Sequence, residues 1–111
     1  MPIIINAQDT QVTRQGPGWT ETNLADGEII GMPAMNARRL IFEPNAHGPE
    51  STRGDSDQLL FVIRGSGRAA VNGEELPLDE ESVLWLEPGE RYQLVAGENG
   101  LEILQGYAPG D

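Results

Sequence analysis

Residues 58–73 read QLLFVIRGSGRAAVNG, and this stretch decides the fold class. It begins with a nearly continuous apolar run over 58–64, which is typical of a β-strand buried on both faces. The glycines of segment 65–67 predict a turn into a second strand at 68–71. Asn72-Gly73 then predicts a tight hairpin, because both residues tolerate a positive φ. The stretch therefore predicts short antiparallel strands that follow one another closely.

The same rhythm extends to both sides of this stretch. Glycine and proline are frequent, with 14 and 8 residues among the 111 of the chain, and no segment has the periodicity and end signals of a helix. Strand spacing of this kind predicts an all-β sandwich or barrel. We therefore predict a single domain over 1–111, with N-terminal edge strands and loops in 1–36 and a barrel core in 37–107. Further strands are predicted at 3–5, 28–30, 38–42, 82–87, 92–95 and 101–104.

The composition removes many functional classes. The chain has no cysteine, which excludes disulfides, thiolate catalysis and cysteine-ligated metal sites. It has no lysine either, which excludes Schiff-base chemistry and a phosphate-binding P-loop. The net charge of −11 predicts that neither nucleic acid nor an anionic membrane is a partner. Because no apolar run is long enough to span a membrane and no signal peptide is visible, we predict a cytoplasmic protein.

The turn pattern between Pro44 and Ala96 resembles that of the cupins, the RmlC-like barrels of the jelly-roll class. Gly65 matches the glycine that ends the first cupin motif, and Asn72-Gly73 matches the hairpin between the two motifs. Glu87-Pro88-Gly89 stands where the second motif has Pro-x-Gly, with Gly89 retained. The resemblance implies an antiparallel jelly-roll barrel. It also implies a homodimer, since small cupins commonly pair through sheet edges, which would cover exposed strand edges.

The positions that hold the metal ion in cupins carry unsuitable residues in this chain. Counted back from Gly65, the glutamate of the family corresponds to Gln58, and the histidine and asparagine of the second motif correspond to Tyr92 and Ala96. The two histidines of the first motif correspond to Ser51 and Arg53, or to Thr52 and Gly54 with the shorter spacing. Arginine has no lone pair to donate to a metal. We therefore predict a cupin that has lost its metal site and binds no cofactor.

His47 is the only histidine of the chain and a candidate catalytic residue. It lies just before the loop that leads to the missing ligands, where an imidazole can transfer protons or contact a ligand at the barrel mouth. The alternative interpretation is a loop histidine that caps a turn or faces solvent. A metal site made of His47 with Glu50 or Asp55, outside the family positions, is a third alternative.

Gln58, Tyr92 and Arg53 are the other polar candidates for ligand binding. If the cupin register holds, Gln58 and Tyr92 both project into the barrel, where they bind a ligand or form a hydrogen bond with each other. Arg53 is suited to a ligand carboxylate, but it can equally pair with Asp55 or Asp57 at the surface.

Two further features concern the barrel wall. Because side chains alternate along a strand, one of Arg38 and Arg39 is expected to point inward, where it needs an anion or an internal acid. Trp85, like Leu60 and Phe61, is predicted to be a core residue, and Trp85 is also a candidate for the lining of a ligand pocket.

Two functional hypotheses follow. The first is metal-independent binding of a small organic ligand inside the barrel. The second is a metal-independent enzyme of the isomerase, epimerase or lyase type, because some cupin-fold sugar-nucleotide epimerases use a histidine base and a tyrosine acid. His47 and Tyr92 are the residues that can take these two roles, provided that they face a common cavity.

Overall fold

The computed structural model describes residues 4, 11–25, 36–52 and 57–107. Within these ranges the regular structure is entirely β, and every strand pair is antiparallel, which confirms the predicted fold class. No helix in the described ranges is long and apolar enough to cross a membrane. The cytoplasmic location and the lack of a nucleic acid partner stay predictions. The strands are β1 (Arg14–Gly16), β2 (Trp19–Ala25), β3 (Asn36–Phe42), β4 (Ser51–Thr52), β5 (Gln58–Val71), β6 (Glu74–Leu78), β7 (Val83–Leu86) and β8 (Arg91–Tyr107).

The sheet follows the order β1-β2-β3-β8-β5-β6, with β4 paired to β8 and β7 paired to β5. Its centre is the pair of long strands β5 and β8, whose register shifts at Val62/Arg64 and at Gly65/Gly67. The chain therefore runs on through 65–67 and 97–100. The turn predicted at 65–67 is wrong, and the strands predicted at 92–95 and 101–104 are parts of one strand. Gly65 has a φ of 86° and Gly100 one of 77°, and a Cβ on Gly65 would collide with the Gly100 carbonyl oxygen. These glycines allow two continuous strands to approach each other closely.

Two tight turns connect neighbouring strands. Asn72 and Gly73, with φ values of 51° and 86°, join β5 to β6 as the predicted hairpin. Pro17-Gly18 joins β1 to β2 in a second hairpin, within the N-terminal third for which we predict only edge strands and loops. The edge strands predicted at 3–5 and 28–30 lie outside the described residues, apart from Ile4, which is exposed and belongs to no strand.

The core lies on the inner face of the sheet. Leu60 and Val62 of β5 and Leu101 and Ile103 of β8 are almost completely buried there. The prediction that Leu60 is a core residue is therefore confirmed. Burial of β5 nevertheless alternates from residue to residue at its start, as expected for a strand with one covered face. The interpretation of 58–64 as a strand buried on both faces is wrong, because Leu59 and Ile63 on its outer face are exposed.

The prediction of Trp85 as a core or pocket residue is also wrong. Its side chain is 58% exposed, because β7 directs it to the outer face of the sheet, across from Leu59 of β5. Phe61 lies on the same face between Val83 of β7 and Leu104 of β8, and it is partly buried. We call these five residues, Leu59, Phe61, Val83, Trp85 and Leu104, the outer apolar patch.

Candidate functional site

A cavity of about 320 Å³ lies between the β1–β2 hairpin, strands β3 and β8, and segment 48–51. Trp19, Leu40, Phe42 and Leu94 form its apolar wall. They share the inner face because Trp19 pairs with Phe42 and side chains alternate along each strand. The volume is near the lower end of the roughly 300–1,000 Å³ typical of pockets for small organic ligands. The cavity is therefore suited to a small molecule.

Trp19 reaches the cavity wall because Gly16, its cross-strand partner, has no side chain. A Cβ on Gly16 would lie 2.5 Å from the indole nitrogen of Trp19, so any other residue would displace the ring. The guanidinium carbon of Arg14 lies 5.4 Å from the ring centroid, a distance at which a cation–π contact is favourable. The short hairpin thus brings an aromatic ring and a positive charge to the cavity.

Gln58, Tyr92 and Gln105 form a buried hydrogen-bonded cluster, which we call the polar trio. Tyr92 Oη donates to Gln58 Oε1 at 3.2 Å, and Gln105 Nε2 donates to Tyr92 Oη at 2.9 Å. Gln105 Nε2 also donates to Gln58 Oε1. Tyr92 and Gln105 line the cavity. The structure therefore brings together Gln58 and Tyr92, as the cupin register predicts, and adds a third side chain.

The polar trio does not fit the metal ion that cupins hold at this place. Gln58 and Tyr92 present an amide and a phenol that are hydrogen-bonded to each other, and Ala96 has no donor atom. Ser51 lines the cavity, but a neutral hydroxyl is a poor substitute for an imidazole. Among the residues that the structure describes, no group of three or more histidine, aspartate and glutamate side chains is placed to hold a metal.

The two neighbouring arginines of β3 lie on opposite faces, as the alternation predicts. Arg38 points into the cavity, where its Nη1 lies 3.7 Å from a carboxylate oxygen of Glu21. Arg39 points outward and donates from Nε to Glu102 at 2.9 Å, and Arg64 donates to the other oxygen of Glu102 at 2.6 Å. The inward arginine thus has the internal acid that burial of its charge requires.

The remaining candidates lie elsewhere. His47 is exposed and forms an isolated bridge with Val95, and it is not among the residues that line the cavity with Tyr92. The structure therefore does not bring His47 and Tyr92 to a common cavity. Trp85 belongs to the outer apolar patch and not to the cavity. Arg53, Gly54 and Asp55 lie outside the described residues.

Sequence reasoning missed Gln105, Arg14 and Glu21. Gln105 continues the alternation of Leu101 and Ile103, so extending the predicted strand 101–104 by a few residues would have directed it inward. Arg14 and Glu21 are cross-strand partners in the β1–β2 hairpin. Reading Pro17-Gly18 as a hairpin turn would have placed these two residues opposite each other.

Solved structures share this fold at low sequence identity. KdgF from a Halomonas species superimposes with a TM-score of 0.82 at 17% identity, over 100% of this chain and 96% of that protein. A predicted oxalate decarboxylase from Thermotoga maritima gives a TM-score of 0.82 at 16% identity, over 97% and 100%. An RmlC-like cupin from Shewanella frigidimarina gives 0.77 at 17% identity, over 95% and 88%. These similarities establish the cupin fold.

The sequence itself identifies a more specific group. No curated protein matches the chain. Residues 40–111 match the family model of the AraC-like ligand binding domain, and this range includes β3 from Leu40 onward and all later strands. The matched range carries the polar trio and much of the apolar wall. The chain therefore belongs to the family of AraC-like ligand-binding domains.

Proposed function

We propose that this protein binds a small organic molecule in the barrel interior through its own side chains, without a metal ion. The observation that carries the proposal is the polar trio. Two of its members, Gln58 and Tyr92, stand at positions that correspond to metal ligands of cupins. All three side chains are neutral and hydrogen-bonded to one another, and Tyr92 and Gln105 line a cavity of ligand size. Membership of a family of ligand-binding domains supports the same function. The enzymatic alternative has less support, because His47 is exposed and does not line the cavity with Tyr92.

The test is to identify what the purified protein carries. Protein made without added metal is analysed by native mass spectrometry for a bound organic molecule and by inductively coupled plasma spectrometry for metals. We expect an organic ligand and metal far below stoichiometry. Ser51→Phe places a ring in the cavity, so the bound ligand should no longer be detected in the mass spectrum of this variant. Thr20→Phe is the matched control, because Thr20 alternates with the cavity residues Trp19 and Glu21 and so faces outward. Stoichiometric metal would refute metal-independent binding.

We also propose that the protein forms a homodimer through the outer apolar patch. Five neighbouring apolar side chains on strands β5, β7 and β8 leave one face of the sheet partly uncovered. Contiguous exposed apolar surface of this kind is typical of interaction sites. A face-to-face contact would differ from the pairing through sheet edges that the cupin resemblance implies.

Two valines allow a matched test of this dimer. Val83 belongs to the patch and is 57% exposed, whereas Val12 lies outside it and is 51% exposed. In light scattering coupled to gel filtration, we expect wild-type protein and Val12→Lys at twice the chain mass of 12.0 kDa, and Val83→Lys at the chain mass. A monomeric wild type, or a Val83→Lys variant that stays dimeric, would refute an interface at this patch.

A further inference from the structure

Arg38 has unused hydrogen-bonding capacity inside the cavity. It lies on β3 directly across from Gln105, its cross-strand partner on β8, and its side chain is only 21% exposed. Within the part of the chain that the structure describes, its Nε is buried and has no hydrogen-bond partner. A buried donor without an acceptor is costly. The described side chains therefore leave the hydrogen-bonding capacity of this guanidinium partly unused, and Arg38 lines the cavity.

The groups around Arg38 hold its guanidinium in place without supplying that acceptor. The carboxylate of Glu21 is at 3.7 Å, within range of an ion pair but too long for a hydrogen bond. The ring centroid of Tyr107 lies 4.9 Å from the guanidinium carbon. At this distance the ring makes a cation–π contact with the guanidinium, which is not a hydrogen bond to an oxygen acceptor. The side chain is thus preorganised, with donors left for a ligand.

The charges of the cavity lining favour one negative group. Among the described lining residues, Arg14 and Arg38 are positive and Glu21 and Glu50 are negative. The carboxylate of Glu50 forms an ion pair at 3.3 Å with Arg91, which does not line this cavity. The lining therefore has two guanidinium groups but only one carboxylate, that of Glu21, that is not paired with a group outside the lining. This local excess of positive charge occurs in a chain whose net charge is −11.

We infer that the ligand of this cavity is a small organic acid whose single carboxylate binds the N–H groups of Arg38. The inference rests on the proposed binding function and adds the chemical class of the ligand. A planar carboxylate matches the fork of a guanidinium, and its one charge balances the local excess, which a phosphate dianion would exceed. The rest of the ligand lies against the side chains of Trp19 and Leu94 and against the polar groups of Tyr92 and Gln105, which also line the cavity. An acid with an apolar body and a hydroxyl or carbonyl group fits these surroundings.

Acetate and acetamide are the matched probes, because they have the same shape and differ in charge. In nitrogen-15-labelled protein, sodium chloride is replaced stepwise by sodium acetate at constant ionic strength, and acetamide is titrated in parallel. We expect saturable shifts of the Nε–H of Arg38 and of the indole N–H of Trp19, with a Kd for acetate in the millimolar range that suits so small a ligand. The indole of Trp85, which lies outside the cavity, should not respond. Acetamide should bind at least about tenfold more weakly, because it lacks the charge that strengthens the hydrogen bonds.

A pair of variants distinguishes binding of acetate at Arg38 from a general effect of the charge of the protein. Arg38→Gln should abolish the response of Trp19 to acetate, whereas Arg68→Gln should preserve it, because Arg68 is exposed and paired with Glu75 at 3.2 Å. Equal responses to acetate and acetamide in the wild type would overturn the inference, and so would the lack of any saturable response. Both of these outcomes are measured on the wild-type protein, so they do not depend on whether a variant folds. A neutral organic ligand found by mass spectrometry, together with no response to acetate, would refute the acid and leave the proposed binding function intact.

Discussion

Removal of the phenol oxygen of Tyr92 tests whether the polar trio is held together by its own hydrogen bonds. Tyr92→Phe keeps the ring but removes the donor to Gln58 and the acceptor of Gln105. Gln58 and Gln105 are both 2% exposed, and the hydrogen bond between them stays. Each lost hydrogen bond contributes roughly 0.5–1.5 kcal/mol. We therefore expect Tyr92→Phe to lower the free energy of unfolding by about 2 kcal/mol, before any ligand is added.

A double-mutant cycle tests whether Tyr92 and Gln105 stabilise the protein through the same hydrogen bond. Gln105→Leu removes the donor that Tyr92 accepts, so the two single variants each disrupt the same hydrogen bond at 2.9 Å. The double variant loses this bond only once. Residues in direct contact usually show coupling of about 0.5–3 kcal/mol. We expect the double variant to be about 1 kcal/mol more stable than the sum of the two single effects predicts.

Urea unfolding followed by tryptophan fluorescence measures all four proteins. They are compared at one protein concentration, because a dimer makes apparent stability depend on concentration. Thermal unfolding serves as a second measurement, in which about 2 kcal/mol corresponds to a decrease in Tm of roughly 8 °C for a domain of this size. Single variants as stable as wild type, or effects that add without coupling, would show that water in the cavity hydrates these groups separately, and the reasoning would fail.

Two further predictions concern the barrel itself. Gly65→Ala should destabilise far more than Gly73→Ala: both residues have a φ of 86°, but a Cβ on Gly65 meets the Gly100 carbonyl, whereas one on Gly73 has no atom within 4 Å. We expect Gly73→Ala to lower the free energy of unfolding by about 1–2 kcal/mol, from its backbone conformation alone. Gly65→Ala should lower it by at least about 2 kcal/mol more, as measured by urea unfolding. Equal losses of stability would contradict the proposed close approach. Glu102→Gln should cost about 1–2 kcal/mol, because it weakens two charged hydrogen bonds to a carboxylate that is only 10% exposed. Glu75→Gln, which affects an exposed ion pair, should change the same measurement by less than about 0.5 kcal/mol, and a Glu102→Gln effect as small as this control would remove the assigned role.

The parts of the fold that the sequence predicted are those determined by local chemistry. Asn72-Gly73 forms the expected hairpin because a positive φ at both positions is a local property. The register of the cupin motifs also held, since Gln58 and Tyr92 meet inside the barrel. Alternation correctly put Arg38 and Arg39 on opposite faces. Each of these inferences depends only on neighbours in the chain or on motif spacing.

The errors arose where a pattern has two physical causes. An unbroken apolar run is typical of a strand covered on both sides, but here the outer face of β5 is left open, and Trp85 lies on that open face. Glycine can mark a chain reversal, but Gly65 and Gly100 instead permit two strands to approach closely. Gln105 was missed because a single glutamine near the end of a predicted strand gives no signal that it faces two other polar groups.

Strand β8 carries residues of both surfaces that the proposals need. Tyr92, Leu94 and Gln105 line the cavity, while Leu104, next to Gln105, belongs to the outer apolar patch on the other face. A shift of one residue in its register would exchange the two sets, because side chains alternate. The register shifts between β5 and β8 lie beside Gly65 and Gly67, where added side chains would collide with the β8 backbone. These glycines therefore keep both surfaces correctly directed, although neither of them lines the cavity.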